Sequence, residues 1–99
     1  MPRVRTHPGR VLKAELAARD ISANKLALAL CVPANRITAI LRGERALTAE
    51  TAVRLGSFLG TGAAFWMNLQ ALHDISVVET RQGEAIEREL AGALGTGSA

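Results

Sequence analysis

Apolar residues recur at intervals of three and four along the chain, and most of these runs begin or end at residues that commonly cap helices. The pattern predicts a first helix from Pro8 to about Ala18. A second helix is predicted from about Ala23 to Leu30, with Ser22 as its N-cap. A third is predicted from Pro33 to Arg42, where Gly43 supplies a C-cap. The first half of the chain is therefore predicted to form three short helices.

The second half continues the same pattern. A fourth helix is predicted between its N-cap Thr48 and Gly60, and a fifth from about Gly62 to Ser76. Residues 80–83 are polar and predict a break. A sixth helix is predicted over residues 84–94, and its narrow apolar stripe consists of Ile86, Leu90 and Leu94.

Composition agrees with a single all-α domain. The chain has 99 residues, of which 48% are hydrophobic and only 3% aromatic, so the core must consist mainly of Leu, Ile and Val. Ala, Leu, Arg and Glu are good helix formers, and the alternation typical of strands is scarce. We therefore expect a five-helix domain over residues 1–79 and a C-terminal helical extension over residues 80–99.

The second and third helices, joined at Cys31 and Val32, form the pattern that points most directly to a function. Each helix has its apolar residues on one face, which leaves a short polar and cationic face on the third helix. This arrangement is typical of a helix-turn-helix, whose second helix enters the major groove of DNA, but also of an ordinary helical hairpin. The candidate DNA-contacting residues are Ser22, Asn24, Lys25, Pro33, Ala34, Asn35, Arg36, Thr38, Ala39 and Arg42.

The side chains of the third helix match the chemistry of base edges. Asn35 can pair with adenine through two hydrogen bonds, and Arg36 and Arg42 can bind guanine or phosphate. Thr38 can bond to a base or a phosphate or contact a thymine methyl, and Ala39 is small enough to allow close approach. The free N–H groups at the start of the second helix favour phosphate.

Charge is distributed unevenly along the chain. The formal net charge is +3, with nine Lys and Arg against three Asp and Glu in residues 1–45 and three against six in residues 46–99. The first half, which contains the two-helix unit, therefore has a net charge of +6 and favours contact with phosphate. A solvated Arg-rich face has the same composition, so charge alone does not decide between the two interpretations.

The residues with reactive or ligating side chains predict neither an enzyme nor a cofactor. Cys31 has no second cysteine, which fits a reduced, cytoplasmic setting, and it is more typical of a turn or core residue than of a redox switch. His7 is expected near the cap of the first helix, and His73 is expected to face solvent beside Asp74; neither has metal ligands at a suitable spacing. No phosphate loop, GxSxG or HExxH motif is present. No apolar run approaches the roughly 20 residues needed to span a membrane, and no signal peptide is expected.

Residues of the two-helix unit resemble the helix-turn-helix of the lambda-repressor-like (XRE) family: Ser22, Leu26, Ala27, Leu30, Val32, Pro33, Arg36, Ile37 and Gly43. Three flanking segments narrow the resemblance to HigA (VapI) type addiction-module antitoxins over about residues 7–79. They are HPGRVLKAEL at 7–16, ITAILRGERALTAETAVRL at 37–55 and FWMNLQALHDI at 65–75.

The resemblance implies a fold, a function and two partners. It implies a lambda-repressor-like domain that binds an inverted-repeat operator as a homodimer and represses its own toxin–antitoxin operon. It further implies neutralisation of a small basic toxin, an mRNA endonuclease of the HigB type. The sequence departs from the family pattern at Ala23, where Gln is common, and at Cys31, where the turn usually has Gly. Cys31 carries strain if this turn requires a positive φ.

The fifth helix carries the largest apolar stripe of the chain, which consists of Phe65, Trp66, Leu69 and Leu72. The stripe either packs into the core or is partly left for a dimer partner, with Phe65 and Leu69 inward in that case. The tentative interface residues are Trp66, Leu69 and Leu72. The acidic extension that follows is a frayed end, a dimer arm or a toxin-docking element.

Two other functions fit the same sequence. A stand-alone repressor without a toxin partner has the same features, and the adjacent reading frame would distinguish it. A helical protein-interaction module would lack salt-sensitive DNA binding.

Overall fold

The chain forms five helices in the computed structural model, which describes residues 3–97 and the side chains of residues 3–93. No strand occurs among these residues, which confirms the predicted all-α class. No helix within the described part of the chain is both long and apolar enough to cross a membrane. The helices are α1 Pro8–Arg19, α2 Ala23–Leu30, α3 Ala34–Leu41, α4 Ala49–Leu59 and α5 Ala63–Gly97.

Side-chain caps fix where three of the helices begin. The Ser22 hydroxyl accepts the Lys25 N–H at 3.1 Å at the start of α2, and the Thr48 hydroxyl accepts the Thr51 N–H at 3.4 Å at the start of α4. Both are the predicted N-caps. His7 caps α1, also as expected. The first four predicted helices therefore agree with the structure to within one residue at each end.

The core lies where α1 to α4 meet the first turns of α5. Its members are buried apolar side chains from all five helices and from the loop before α4: Leu12, Leu16, Leu26, Leu30, Ile37, Ile40, Leu47, Leu55, Leu59 and Trp66. Gly56 allows the end of α4 to approach the start of α5 closely, because a Cβ at this position would lie 2.3 Å from the Gly62 carbonyl carbon. Within this core, α3 packs against both α1 and α2, and one face of α3 remains exposed.

The prediction of a break at residues 80–83 is wrong, because α5 continues through them as one helix of 35 residues. The segment contains no proline, and a single glycine inside a helix costs only about 1 kcal/mol relative to alanine. A helix of this length spans about 52 Å, and the described part of the chain extends 59 Å along its longest axis but only 21 and 20 Å across. None of the side chains described between residues 80 and 93 is buried, so this part of α5 extends beyond the core.

The assignment of Trp66 to a dimer interface is also wrong, since its side chain is only 1% exposed. Its Nε1–H donates to the Thr61 hydroxyl at 2.7 Å. Phe65, expected to point inward, is 45% exposed instead. The prediction followed apolar residues only, whereas the buried face of α5 includes Gln70, whose side-chain oxygen accepts the Leu47 N–H at 2.7 Å. The buried face of α5 therefore includes a polar side chain that has a hydrogen-bond partner.

Candidate nucleic-acid interface

The outer surface of α3 is the main candidate interface. Ile37 and Ile40 are buried, so the opposite side of this short helix faces outward. Thr38 and Ala39 are half-buried, and the Thr38 hydroxyl donates to the Asn35 carbonyl oxygen at 3.3 Å. The remaining candidates on and beside this helix, other than Arg36, are exposed: Pro33, Ala34, Asn35 and Arg42.

The start of α2 provides the second group of candidates. Ser22, Asn24 and Lys25 are all exposed. The Ser22 hydroxyl already accepts a hydrogen bond from the Lys25 N–H as the helix cap. Its O–H group can still donate a second hydrogen bond, for example to a phosphate oxygen, without loss of the cap. Because α2 and α3 pack directly on each other, the structure places both groups of candidates on one two-helix unit.

Arg36 is the candidate that the structure places differently. Its Nη1 lies 3.0 Å from the Glu50 Oε1 in the first turn of α4, and only 24% of its side chain is exposed. Its Nε is buried without a hydrogen-bond partner. Arg54 completes the group, since its Nη1 donates to the Leu30 carbonyl oxygen at 3.0 Å and its Nη2 lies 4.0 Å from Glu50. This arginine–glutamate–arginine group links the ends of α2, α3 and α4, a role that sequence spacing did not reveal.

The turn between α2 and α3 requires a positive φ. Cys31 has φ 59° and ψ 43°, the left-handed conformation that glycine adopts at little cost. Its N–H bonds to carbonyl oxygens of the last turn of α2, so the strained residue closes that helix. The thiol is exposed, which makes Cys31 a turn residue rather than a core residue.

His7 connects several elements beside this interface. Its Nδ1 accepts the Gly9 N–H at 2.9 Å, and its ring meets the His73 ring edge to face with 4.9 Å between centroids. Burial and the nearby charge of His73 lower the pKa of His7, against smaller opposing effects of a hydrogen bond with the Arg45 backbone and of Asp74.

His73 was expected to face solvent, but it is half-buried. Its Nδ1 lies 2.7 Å from the Arg5 carbonyl oxygen, and the Arg5 N–H donates to the Ser76 hydroxyl at 2.7 Å. These two bonds hold the segment before α1 against α5. No local signal in the sequence predicts these contacts, because Arg5 is 68 positions from His73 and 71 positions from Ser76.

Comparison with known proteins identifies the class to which this two-helix unit belongs. A family model described as "Helix-turn-helix" matches residues 12–66. The match covers all of α2, α3 and α4, most of α1 and the start of α5. The chain therefore belongs to the helix-turn-helix family.

Relatives narrow the family further. Virulence-associated protein I of Dichelobacter nodosus is 42% identical over 74 residues, which are 74% of this chain and 68% of that protein. An addiction module antidote protein of the HigA family from Coxiella burnetii is 48% identical, with a TM-score of 0.85 over 87% of this chain and 95% of that chain. Antitoxin HigA of Pseudomonas aeruginosa, solved with the higBA promoter, is 40% identical, with a TM-score of 0.83 over 90% of this chain and 95% of that chain. These similarities confirm the resemblance to HigA (VapI) type antitoxins that the sequence predicts.

Proposed function

We propose that this chain is a DNA-binding antitoxin that represses its own toxin–antitoxin operon. The observation that carries the proposal is the exposed polar face of α3 in a chain that is 40% identical, over 90% of its length, to an antitoxin HigA solved with promoter DNA. We propose no enzymatic activity and no cofactor for this chain. A cytoplasmic location, where its operator would be accessible, belongs to the same proposal.

The exposed candidates divide into two roles. Asn35, at the start of α3, contacts base edges together with Ala34 and Thr38, since the first residues of a recognition helix reach deepest into the groove. The start of α2, with Asn24 and Lys25, contacts phosphates and sets the register on the duplex. The remaining candidates border these two groups: Ser22, Pro33 and Arg42, which are exposed, and Ala39, which is half-buried.

We assign Arg36 a positioning role instead of base readout. Its Nη1 is bound to Glu50 at 3.0 Å and only 24% of its side chain is exposed, so the guanidinium group is directed toward α4. The ion pair fixes the first turn of α3 relative to α4. The group therefore contributes to DNA binding by holding Asn35 and Thr38 in place.

A homodimer and a toxin complete the proposal. Leu72 is 44% exposed and Leu69 half-buried on α5, and we propose that they contribute to the dimer interface in place of Trp66. Two-fold symmetry would then place two α3 helices on an inverted repeat with half-sites about 34 Å apart. We assign DNA binding to residues 1–79 and contact with a small basic toxin to residues 80–99, whose glutamates have the complementary charge.

Titration of the chain with DNA from upstream of its own gene tests the proposal. Wild-type protein should bind this DNA in a salt-sensitive manner, and Asn35→Ala should weaken operator binding by about 1–3 kcal/mol while affecting scrambled DNA much less. Arg88→Gln, which removes an exposed charge from the extension, is the matched control and should bind as wild type. Absence of salt-sensitive binding would reject the proposal in favour of a protein-interaction module. Addition of the neighbouring gene's product separates an antitoxin, which should bind it, from a stand-alone repressor.

A further inference from the structure

A cleft with basic walls opens where the start of α1 meets the end of α3. It has a volume of about 250 Å³ and is lined by His7, Arg10, Lys13, Leu41, Arg42 and Gly43. We refer to its three permanently charged residues, Arg10, Lys13 and Arg42, as the cleft cations. All three are exposed, so an external ligand can reach them.

The cleft cations have no acidic partner within the described part of the chain. None of the ion pairs found among residues 3–93 involves them, whereas Arg36 and Arg54 share Glu50. No carboxylate lines the cleft, since Glu44, which follows Gly43, is not one of its lining residues. Like charges that face one cleft repel each other, and a bound anion offsets this repulsion because it attracts every cation around it.

Backbone packing fixes the cleft cations relative to α3. A Cβ at Gly9 would lie 1.9 Å from the Ile40 carbonyl oxygen, so the first turn of α1 rests directly on the last turn of α3. His7 caps this turn through the Gly9 N–H. Arg10 and Lys13 are three residues apart on α1 and therefore share one face of it. Wherever α3 docks, these two cations move with it as a rigid unit.

The position of the cleft along α3 indicates what its ligand is. The eight residues of α3 span about 12 Å, and the major groove of DNA is also about 12 Å wide. Asn35 stands at the start of the helix and Arg42 immediately after its end. If the start of α3 reaches the base edges, its end and the adjoining cleft lie near the edge of the groove, where the phosphates are.

We infer that this cleft is a second phosphate-binding site, in which Arg10 and Lys13 together with Arg42 bind the DNA backbone at the edge of the groove that α3 enters. The inference rests on the proposed operator binding. It adds α1 to the DNA-contacting surface, which the sequence analysis confined to α2 and α3. The contacts are with backbone oxygens, so they strengthen binding to every sequence equally and do not select the operator.

Salt dependence of DNA affinity tests the inference. The variants are Arg10→Gln, Lys13→Gln and their combination, with Arg88→Gln as the matched loss of an exposed arginine and Arg10→Lys as a variant that keeps the charge. Dissociation constants are measured for operator and scrambled duplexes between 50 and 200 mM salt, roughly the range in which phosphate contacts dominate. Circular dichroism melts establish that each variant is folded.

Each glutamine substitution should weaken binding to both duplexes by the same factor. If one phosphate contact is lost per subunit of a dimer, the slope of log K against log salt should become shallower by about 1.8. Arg10→Lys and Arg88→Gln should keep the wild-type slope. A double variant with the wild-type slope, in a protein that binds its operator, would overturn this inference alone. Wild-type protein without salt-sensitive DNA binding would overturn the proposed function and this inference with it.

Discussion

Cys31 closes α2 in a conformation that few side chains tolerate. The left-handed region costs a residue with a Cβ about 1–2 kcal/mol, and the φ of 59° lies well inside it. The tight turn between the two helices depends on this residue, so the protein retains some strain in its DNA-binding unit. Substitution can remove the strain without touching either helix.

Cys31→Gly should therefore stabilise the protein by about 0.5–1 kcal/mol, after the greater chain entropy of unfolded glycine is subtracted. Thermal unfolding should show a rise in Tm of several degrees. Cys31→Ala is the control, because it removes the thiol but keeps the Cβ and should give no such gain. Equal stabilisation by both variants would mean that the thiol and not the backbone is unfavourable.

His7 makes stability depend on pH. The pKa of His7 is lowered in the folded protein, mainly by burial and then by the charge of His73, while Asp74 and the Arg45 backbone act in the opposite direction. The unfolded chain takes up a proton near the ordinary value of 6.5, whereas the folded chain keeps the ring neutral to a lower pH. The unfolded state therefore binds more protons in this interval, and stability should fall as pH falls below 6.5.

Melting curves between about pH 7.5 and 5 measure this dependence. His7→Asn should flatten the fall in Tm, since asparagine can still cap α1 but does not titrate. An equally steep fall in that variant would show that the pH dependence does not come from His7.

The individual elements follow closely from local sequence, but their contacts do not. Caps such as Ser22 and Thr48 determine where helices begin, because a hydroxyl at that position satisfies an otherwise free N–H. The sixth helix was predicted separately only because residues 80–83 are polar, and polarity alone does not end a helix. The inward face of α5 was misjudged because Gln70 is buried through a hydrogen bond to a residue 23 positions away. The Arg36–Glu50 pair likewise joins two helices and has no local signal.

The link between α3 and α4 yields a test of what Arg36 does. If it only positions α3, Arg36→Ala and Glu50→Gln both remove the Arg36–Glu50 ion pair and should lower operator affinity by similar factors. Glu50→Gln also removes the longer contact with Arg54 at 4.0 Å, so its loss should be at least as large. The cost in stability should be at most about 1 kcal/mol for either, because the pair is partly exposed. An affinity loss for Arg36→Ala that exceeds that of Glu50→Gln by about 1–3 kcal/mol would instead assign Arg36 to a guanine edge.

At the scale of the whole molecule, the basic and acidic parts of the sequence coincide with the compact body and the extended part of the chain. The compact body contains the basic half of the sequence and every buried residue described, whereas the second half of α5 is acidic and extends away from it. The elongated shape, 59 Å by 21 Å by 20 Å, places the two kinds of surface at different ends. DNA and a basic protein could therefore be bound at the same time.

Truncation after Glu79 tests whether the extension is dispensable for folding. No side chain described beyond this residue is buried, so cooperative unfolding should persist with a Tm within a few degrees, and operator binding should be retained if the dimer interface lies before residue 79. Loss of cooperative unfolding would show that the extension belongs to the folded domain. Loss of operator binding alone, with the fold intact, would place dimer contacts in residues 80–99.

The contact between Gly9 and the Ile40 carbonyl shows which substitutions the fold tolerates and which it does not. Position 9 lies under the end of α3 and admits no side chain, yet it touches nothing that would read a base. The outward residues of α3, by contrast, contribute nothing to the core. Divergence to a new operator can therefore change the fully exposed residues of α3, such as Ala34 and Asn35, while α1 and α3 keep the same spacing. The packing of the scaffold and the specificity for DNA therefore depend on different residues of one short chain.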